Sequence, residues 1–202
     1  MIPAPIIGVL AIQGAVREHM ALLEAAGAHA VPVKHPADLA QITGIVLPGG
    51  ESTTISKLAV IDGLMEPLRD FAASGLPMYG SCAGMILLAD RILDGRPDQE
   101  SIGGIDMTVR RNAFGRQVDS FEGGIDLEGI DGGPFPGVFI RAPWVEEIGA
   151  RVEVIGRVGA GAAAGRIVAV RDRNLIATSF HPELTGDTRV HQYFVEMVRQ
   201  AA

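Results

Sequence analysis

Cys82 is the only cysteine among the 202 residues. A lone thiol excludes an internal disulfide and fits a reducing compartment, so a cytoplasmic location is expected. Apolar runs are short, well below the roughly 20 residues that a membrane span needs. Met1-Ile2-Pro3-Ala4-Pro5 carries no basic segment of the kind that opens a secretory signal, and none is expected. Positive charge is scarce: 17 Lys and Arg stand against 24 Asp and Glu, for a formal charge of −7. With no basic cluster, nucleic acid is not expected as a partner. No Cys/His spacing suits zinc, so no metal is expected. Pro48-Gly49-Gly50-Glu51-Ser52-Thr53 lacks the Gly-Lys-Ser/Thr ending of a phosphate-binding loop. Gly159-Ala160-Gly161 lies between strand signals, not at a strand–helix turn, so it is no dinucleotide fingerprint either, and no cofactor is expected.

What is present is glycine, 26 residues of it, and much of it falls between strand-like and helix-like segments. Ile6–Ala11 is a continuous apolar run of the type found in buried parallel strands. Helix signals follow from Val16 to about Ala26, closed by Gly27. Ala30–Val33 reads as a strand whose Pro32 suits a sheet edge, and Gly44–Leu47 as another, ended by Pro48-Gly49-Gly50. Helix signals run from about Thr54 to Ser74 with a break near Asp62-Gly63. A strand through Met78-Tyr79 precedes a helix-like Met85–Ala89. This alternation predicts a single α/β domain over residues 1–202: a three-layer fold with a mostly parallel central sheet flanked by helices. The second half predicts an added antiparallel region. Ile105–Arg110 and Val118–Ile125 read as paired strands joined by a loop, and Gly137–Ile140 as a further strand. Val152–Val158 and Arg166–Val170 form a hairpin around the tract Gly159–Gly165. Leu175–Phe180 is a last core strand, and about Asp187–Gln200 a final amphipathic helix.

Chemistry concentrates at strand ends. Gly80-Ser81-Cys82-Ala83-Gly84 places the cysteine between strand and helix signals with small residues on both sides. This is the pattern of a nucleophile elbow, where a tight turn exposes the reactive side chain. Backbone N–H groups at the start of the following helix favour thiolate, the reactive form. Of the five histidines, His181 stands out, because it follows the Leu175–Phe180 strand within His181-Pro182-Glu183. Pro182 biases His181 toward extended backbone, and in an extended segment residues two apart share a side. Glu183 is thereby placed to hold the imidazole, as the acid does in a nucleophile–base–orienter triad. His19, His29, His35 and His191 read as surface or helix-face residues. Gly50 and Ala83 are the candidate N–H donors of an oxyanion hole, and Glu51 a partner for an ammonium or amide group. On residues alone three readings stay open: a thioester-forming amidase, a thiol hydrolase or esterase, and a regulator that binds without cleaving.

The elbow, the strand-end His-x-Glu and the Pro-Gly-Gly loop, in this order, resemble the class I (triad) glutamine amidotransferases. Five further segments narrow the resemblance: Gln13–His19, Leu47–Thr54, Arg111–Phe121, Gly137–Pro143 and Ser179–Thr185. They look like the glutaminase subunits of pyridoxal 5′-phosphate synthase, across nearly the whole chain. The resemblance implies hydrolysis of L-glutamine through a glutamyl thioester, with Cys82 as nucleophile, His181 as base and Glu183 as its orienter. It implies a glutamine pocket lined by Gly50, Glu51, Ser52, Arg111, Ile140 and Arg141. It also implies a partner, a (β/α)₈-barrel synthase subunit that takes the ammonia in a large complex of up to twelve copies of each subunit. The Gln13-Gly14 loop is where such a partner would contact the site. Arg96–Glu100 and Gly159–Gly165 depart from the pattern and are expected to touch no motif residue. An amidotransferase subunit for another acceptor (histidine, nucleotide or anthranilate synthesis) is the alternative.

Overall fold

The computed structural model describes residues 3–113, 120–161 and 163–201. The segment from Phe114 to Asp119, part of one of the five resembling stretches and of the predicted Val118–Ile125 strand, lies outside them.

The chain opens with β1 (Ile6–Leu10), α1 (Val16–Ala25) and β2 (His29–Val33). It continues with β3 (Gly44–Leu47), α2 (Ser52–Ile61), α3 (Met65–Ala73), β4 (Met78–Ser81) and α4 (Ala83–Leu88). The second half holds β5 (Ala89–Leu93), β6 (Ile105–Arg110), β7 (Ser120–Ile125), β8 (Phe135–Ile140), β9 (Trp144–Ile148), β10 (Glu153–Arg157), β11 (Ile167–Asp172), β12 (Leu175–Thr178) and α5 (Arg189–Ala201). The main sheet runs β2-β1-β3-β4-β12-β11-β9-β6-β5, with β10 paired to β11. From β2 to β12 every pairing is parallel. β7 and β8 form a separate antiparallel pair.

Alternation along the central strands builds two cores. Ile45, Leu47, Met78 and Ala177 face the side covered by α2, α3 and α4. Val46, Tyr79 and Ile176 face the opposite side, with Leu23 of α1, Phe194 of α5, and Phe135 and Phe139 of the small β7–β8 sheet. Side chains two apart in a strand share a face. A strand buried on both faces therefore reads as an unbroken apolar run. Pro32 sits on β2, the outermost strand, where its missing N–H leaves no ladder bond unmade. Gly27 closes the turn after α1 at a φ of 86°, a left-handed conformation that glycine adopts without strain.

Three expectations need correction. The apolar run after Cys82 is not helical to its end, since Ala89 begins β5, an edge strand paired in parallel with β6. β6 does not pair with β7; it lies between β5 and β9, while β7 pairs with β8. Neighbouring strand signals in sequence are therefore not neighbours in space. Nor are Arg96–Glu100 remote from the motifs: Thr53 donates to Gln99 Oε1 at 3.4 Å, and Ser56 donates to the Glu100 carbonyl at 2.8 Å.

Candidate active site

Four loops meet at the C-terminal edge of the parallel sheet, where open α/β folds place their ligands. They follow β1, β3, β4 and β12. The elbow after β4 is tight because its glycines leave no alternative. A Cβ on Gly80 would lie 2.4 Å from the Gly84 carbonyl, and one on Gly84 would lie 2.2 Å from the Leu47 carbonyl oxygen of β3. Between them Cys82 takes φ 48° and ψ −100°, a conformation that non-glycine residues rarely hold and that marks stored backbone strain. Its N–H donates to the Thr178 carbonyl at 2.8 Å, tying the elbow to β12. Cys82 is buried, 6% exposed. The helix that follows, α4, is only six residues long.

Ser179 and Phe180 lead from the end of β12 into His181, whose N–H donates to the Val138 carbonyl of β8 at 2.8 Å. His181 Nδ1 lies 2.7 Å from Glu183 Oε1. The ring packs against Gly49, where a Cβ would approach its Cε1 to 2.5 Å, so the Pro-Gly-Gly loop needs glycine there to admit the imidazole. Burial works against a charge on His181. The hydrogen bonds and charges of Cys82 and Glu183 outweigh it, and hold the imidazolium up to a pKa of about 10. Burial likewise opposes charge on Glu183, but the His181 hydrogen bond and the nearby His19 and His181 pull its pKa below the usual carboxylate range. The means of contact differs from the sequence expectation. Glu183 does not reach back from an extended segment; it sits in a short 3₁₀ turn, Pro182–Leu184, with Pro182 as its first residue.

The loop after β3 forms the facing wall. Glu51 caps α2, accepting from the Thr54 N–H at 2.7 Å and the Thr54 hydroxyl at 3.0 Å. It also receives Arg111 Nη2 at 2.9 Å. Burial raises its pKa, yet the Thr54 bonds and the arginine bring it below the usual carboxylate value. Gln13, in the loop after β1, accepts from the Glu51 N–H at 2.9 Å. Gly14, at φ 107°, passes so close to the Gly49 carbonyl that a Cβ would lie 2.0 Å from its oxygen.

A cavity of about 370 Å³ opens between these walls. Cys82, Ala83 and His181 line one side, and Gly50, Glu51 and Ser52 another. Arg111, Ile140 and Arg141 close it, the last held at φ 43°. All the sequence-derived candidates except Glu183 thus border one cavity; Glu183 stands behind His181. Ser52 Oγ is buried there without a hydrogen-bond partner among the described residues. No cluster of three or more His, Cys, Asp or Glu able to hold a metal occurs among the described residues. Among them also, no helix is long and apolar enough to cross a membrane.

Two residues depart from the sequence expectation. His19 and His191 are not on the surface; both are fully buried behind Glu183. His19 Nε2 lies 3.0 Å from Ser81 Oγ and 3.4 Å from Glu183 Oε2, and its Nδ1 lies 2.9 Å from His191 Nε2. Helical spacing carried the signal. His19 is four residues from Leu23, and His191 shares a face with Phe194, Val195 and Val198. His29 and His35 are exposed, as expected.

The sequence matches the model of the SNO glutamine amidotransferase family over residues 9–200. It is 65% identical to pyridoxal 5′-phosphate synthase subunit PdxT of Salinispora arenicola over 198 residues, covering 98% of each chain. The protein of the same name from Kineococcus radiotolerans is 64% identical over 200 residues, covering 98% of this chain and 97% of that one. A crystal structure of a glutamine amidotransferase superposes with a TM-score of 0.87 at 44% identity, covering 96% of this chain and 98% of the other.

Proposed function

The chain belongs to the SNO glutamine amidotransferase family, and from that premise we propose that it hydrolyses L-glutamine to L-glutamate and ammonia as the glutaminase subunit of a pyridoxal 5′-phosphate synthase, with Cys82, His181 and Glu183 as its triad. The observation that carries the reading is the strained Cys82 elbow sharing one cavity with His181, which Glu183 holds from behind at 2.7 Å.

The chemistry follows from that geometry. A protonated His181 beside the sulfur stabilises the thiolate, which is the nucleophile. Cys82 Sγ attacks the side-chain amide carbon, and the carbonyl π-bond pair moves to oxygen. The N–H of Ala83, which has no acceptor within its own helix, and that of Gly50 would meet the resulting oxyanion. Collapse expels ammonia as His181 delivers its proton to the leaving nitrogen, leaving a glutamyl thioester. His181 then takes a proton from water, whose oxygen attacks the thioester, and glutamate leaves as the C–S bond breaks. Glu183 holds the ring through both steps. Arg111 and Arg141 suit the substrate carboxylate, and Glu51 its ammonium. The unpartnered Ser52 hydroxyl supports the reading, because a bound polar group would satisfy it.

The ammonia would pass to a (β/α)₈-barrel synthase subunit, in a complex of up to twelve copies of each, within the cytoplasm. A glutaminase of this kind is expected to be weak alone. The Gly49–Gly50 peptide is the lever, since the Gly49 carbonyl is held by the Ala15 N–H at only 3.4 Å and glycine tolerates either peptide orientation. The test is ammonia release from glutamine with and without the synthase barrel. Turnover that rises in the complex and vanishes in Cys82→Ala supports the reading. Equal turnover alone and in complex removes the regulatory part, and an active Cys82→Ala removes the mechanism.

A further inference from the structure

Glu183 uses one carboxylate oxygen on His181. The other, Oε2, is buried and has no hydrogen-bond partner among the described residues. His19 Nε2 lies 3.4 Å from it. The same nitrogen lies 3.0 Å from the hydroxyl of Ser81, the residue immediately before the nucleophile. His19 therefore reaches both Glu183 and the residue that precedes the nucleophile, from a helix that begins directly after the Gln13–Ala15 loop.

One assignment of the hydrogen-bond roles avoids setting a ring lone pair against the carboxylate 3.4 Å away. An ionised carboxylate only accepts, so His19 Nε2 carries the proton. In a neutral ring Nδ1 is then the acceptor, and His191 Nε2, 2.9 Å away, must donate to it. That leaves His191 Nδ1 as a bare lone pair, and Nδ1 is the atom of His191 buried without a partner among the described residues. Burial disfavours charge on both rings, lowering the pKa of His19 and bringing that of His191 to about 3. In this assignment the His191 N–H rests on His19 Nδ1, and the His19 N–H lies between Ser81 Oγ at 3.0 Å and Glu183 Oε2 at 3.4 Å.

We infer that His19 is a positioning residue of the triad: oriented by His191, its Nε2–H steadies Glu183 Oε2 and Ser81, so that Oε1 faces His181 and the elbow keeps its place. The inference rests on the triad reading above. The other charged or titratable groups acting on this centre are His181, Cys82, Tyr79 of β4 and Glu18 of α1.

The test is steady-state glutaminase kinetics against pH in the assembled complex, with Cys82→Ala as control. His19→Phe keeps an aromatic ring of similar shape and removes the donor. It should lower kcat by about tenfold to a hundredfold, the scale for outer-shell partners. KM should change little, and the acid limb of the profile should move to higher pH, because the Glu183 carboxylate loses a donor. His19→Gln, whose amide nitrogen can reach the Nε2 position, should recover most of kcat and restore the limb; His19→Asn, too short to reach, should not. A folded His19→Phe with unchanged kcat and profile overturns the inference. If that variant does not fold, the Gln and Asn pair decides, and equal kcat for the two overturns it. An active Cys82→Ala would instead sink the triad reading itself, which keeps the two failures apart.

Discussion

Gly84→Ala puts one methyl group into the tightest contact of the elbow. The added Cβ would lie 2.2 Å from the Leu47 carbonyl oxygen and 3.0 Å from Leu47 Cβ, where ordinary contact begins at 3.4 Å. The obstacle is the backbone of β3, which cannot rotate out of the way, so α4 and the strand must separate by about 1 Å. Overpacking of this kind costs about 1–3 kcal/mol, and a backbone obstacle belongs at the upper end. Alanine in place of glycine within a helix returns about 1 kcal/mol. The net is a loss of about 2 kcal/mol, or a fall in Tm of roughly 4–8 °C for a domain of this size. Activity should suffer more than stability. The separation displaces Cys82 from the Gly49–Gly50 loop, and a 1 Å misplacement of reacting groups costs about a hundredfold. The assay is thermal unfolding followed by glutaminase kinetics in the complex. Gly75→Ala serves as control, because it meets no atom within 4 Å but sits at φ 80°; it should lower Tm and leave kcat alone. A Gly84→Ala protein with wild-type Tm and wild-type kcat would refute the steric account of the elbow.

Acid should destabilise the protein through His191. Its folded pKa, about 3, lies below the ordinary 6.5, so the unfolded chain binds a proton that the folded chain refuses. That penalty is absent above pH 6.5 and grows as pH falls toward 3, at about 1.4 kcal/mol per pH unit. Urea unfolding between pH 7 and 4 should show a shallower pH slope for His191→Phe, and an unchanged slope would contradict the burial. Glu183→Gln should lose a contribution present above pH 4.5 and fading as pH falls, since its folded pKa is depressed; a stability gap from wild type that widens on acidification would be the wrong sign. Phe139→Ala, in the β7–β8 sheet that backs His181, should cost about 3–5 kcal/mol by urea unfolding, as large buried aromatics do, and a cost under about 1 kcal/mol would place Phe139 outside the core.

The parallel half of the fold was legible because buried strands are unbroken apolar runs, and because glycine and proline mark where they end. Cys82, His181 and the Pro-Gly-Gly loop were legible for the same reason, each falling at a strand end. The second half was less so. β5 begins inside an apolar run that a helix could equally use, and β6 finds its partners through a crossover that its sequence neighbour β7 does not share. Glu183 was paired correctly with His181 but through the wrong local geometry, because His-Pro-Glu serves an extended segment and a 3₁₀ turn alike. His19 and His191 were missed because histidine suits surface and core equally. Only their spacing to Leu23 and to Phe194, Val195 and Val198 marked the buried face.

The central claim is that Cys82 is the nucleophile toward glutamine. Its most direct test is the intact mass of the chain after the assembled complex is treated with a diazoketone analogue of glutamine, from which the sulfur would displace dinitrogen. The account predicts one adduct, mapped to Cys82, suppressed by excess glutamine and absent from Cys82→Ala. An unmodified chain, or an adduct on any other residue, would contradict it.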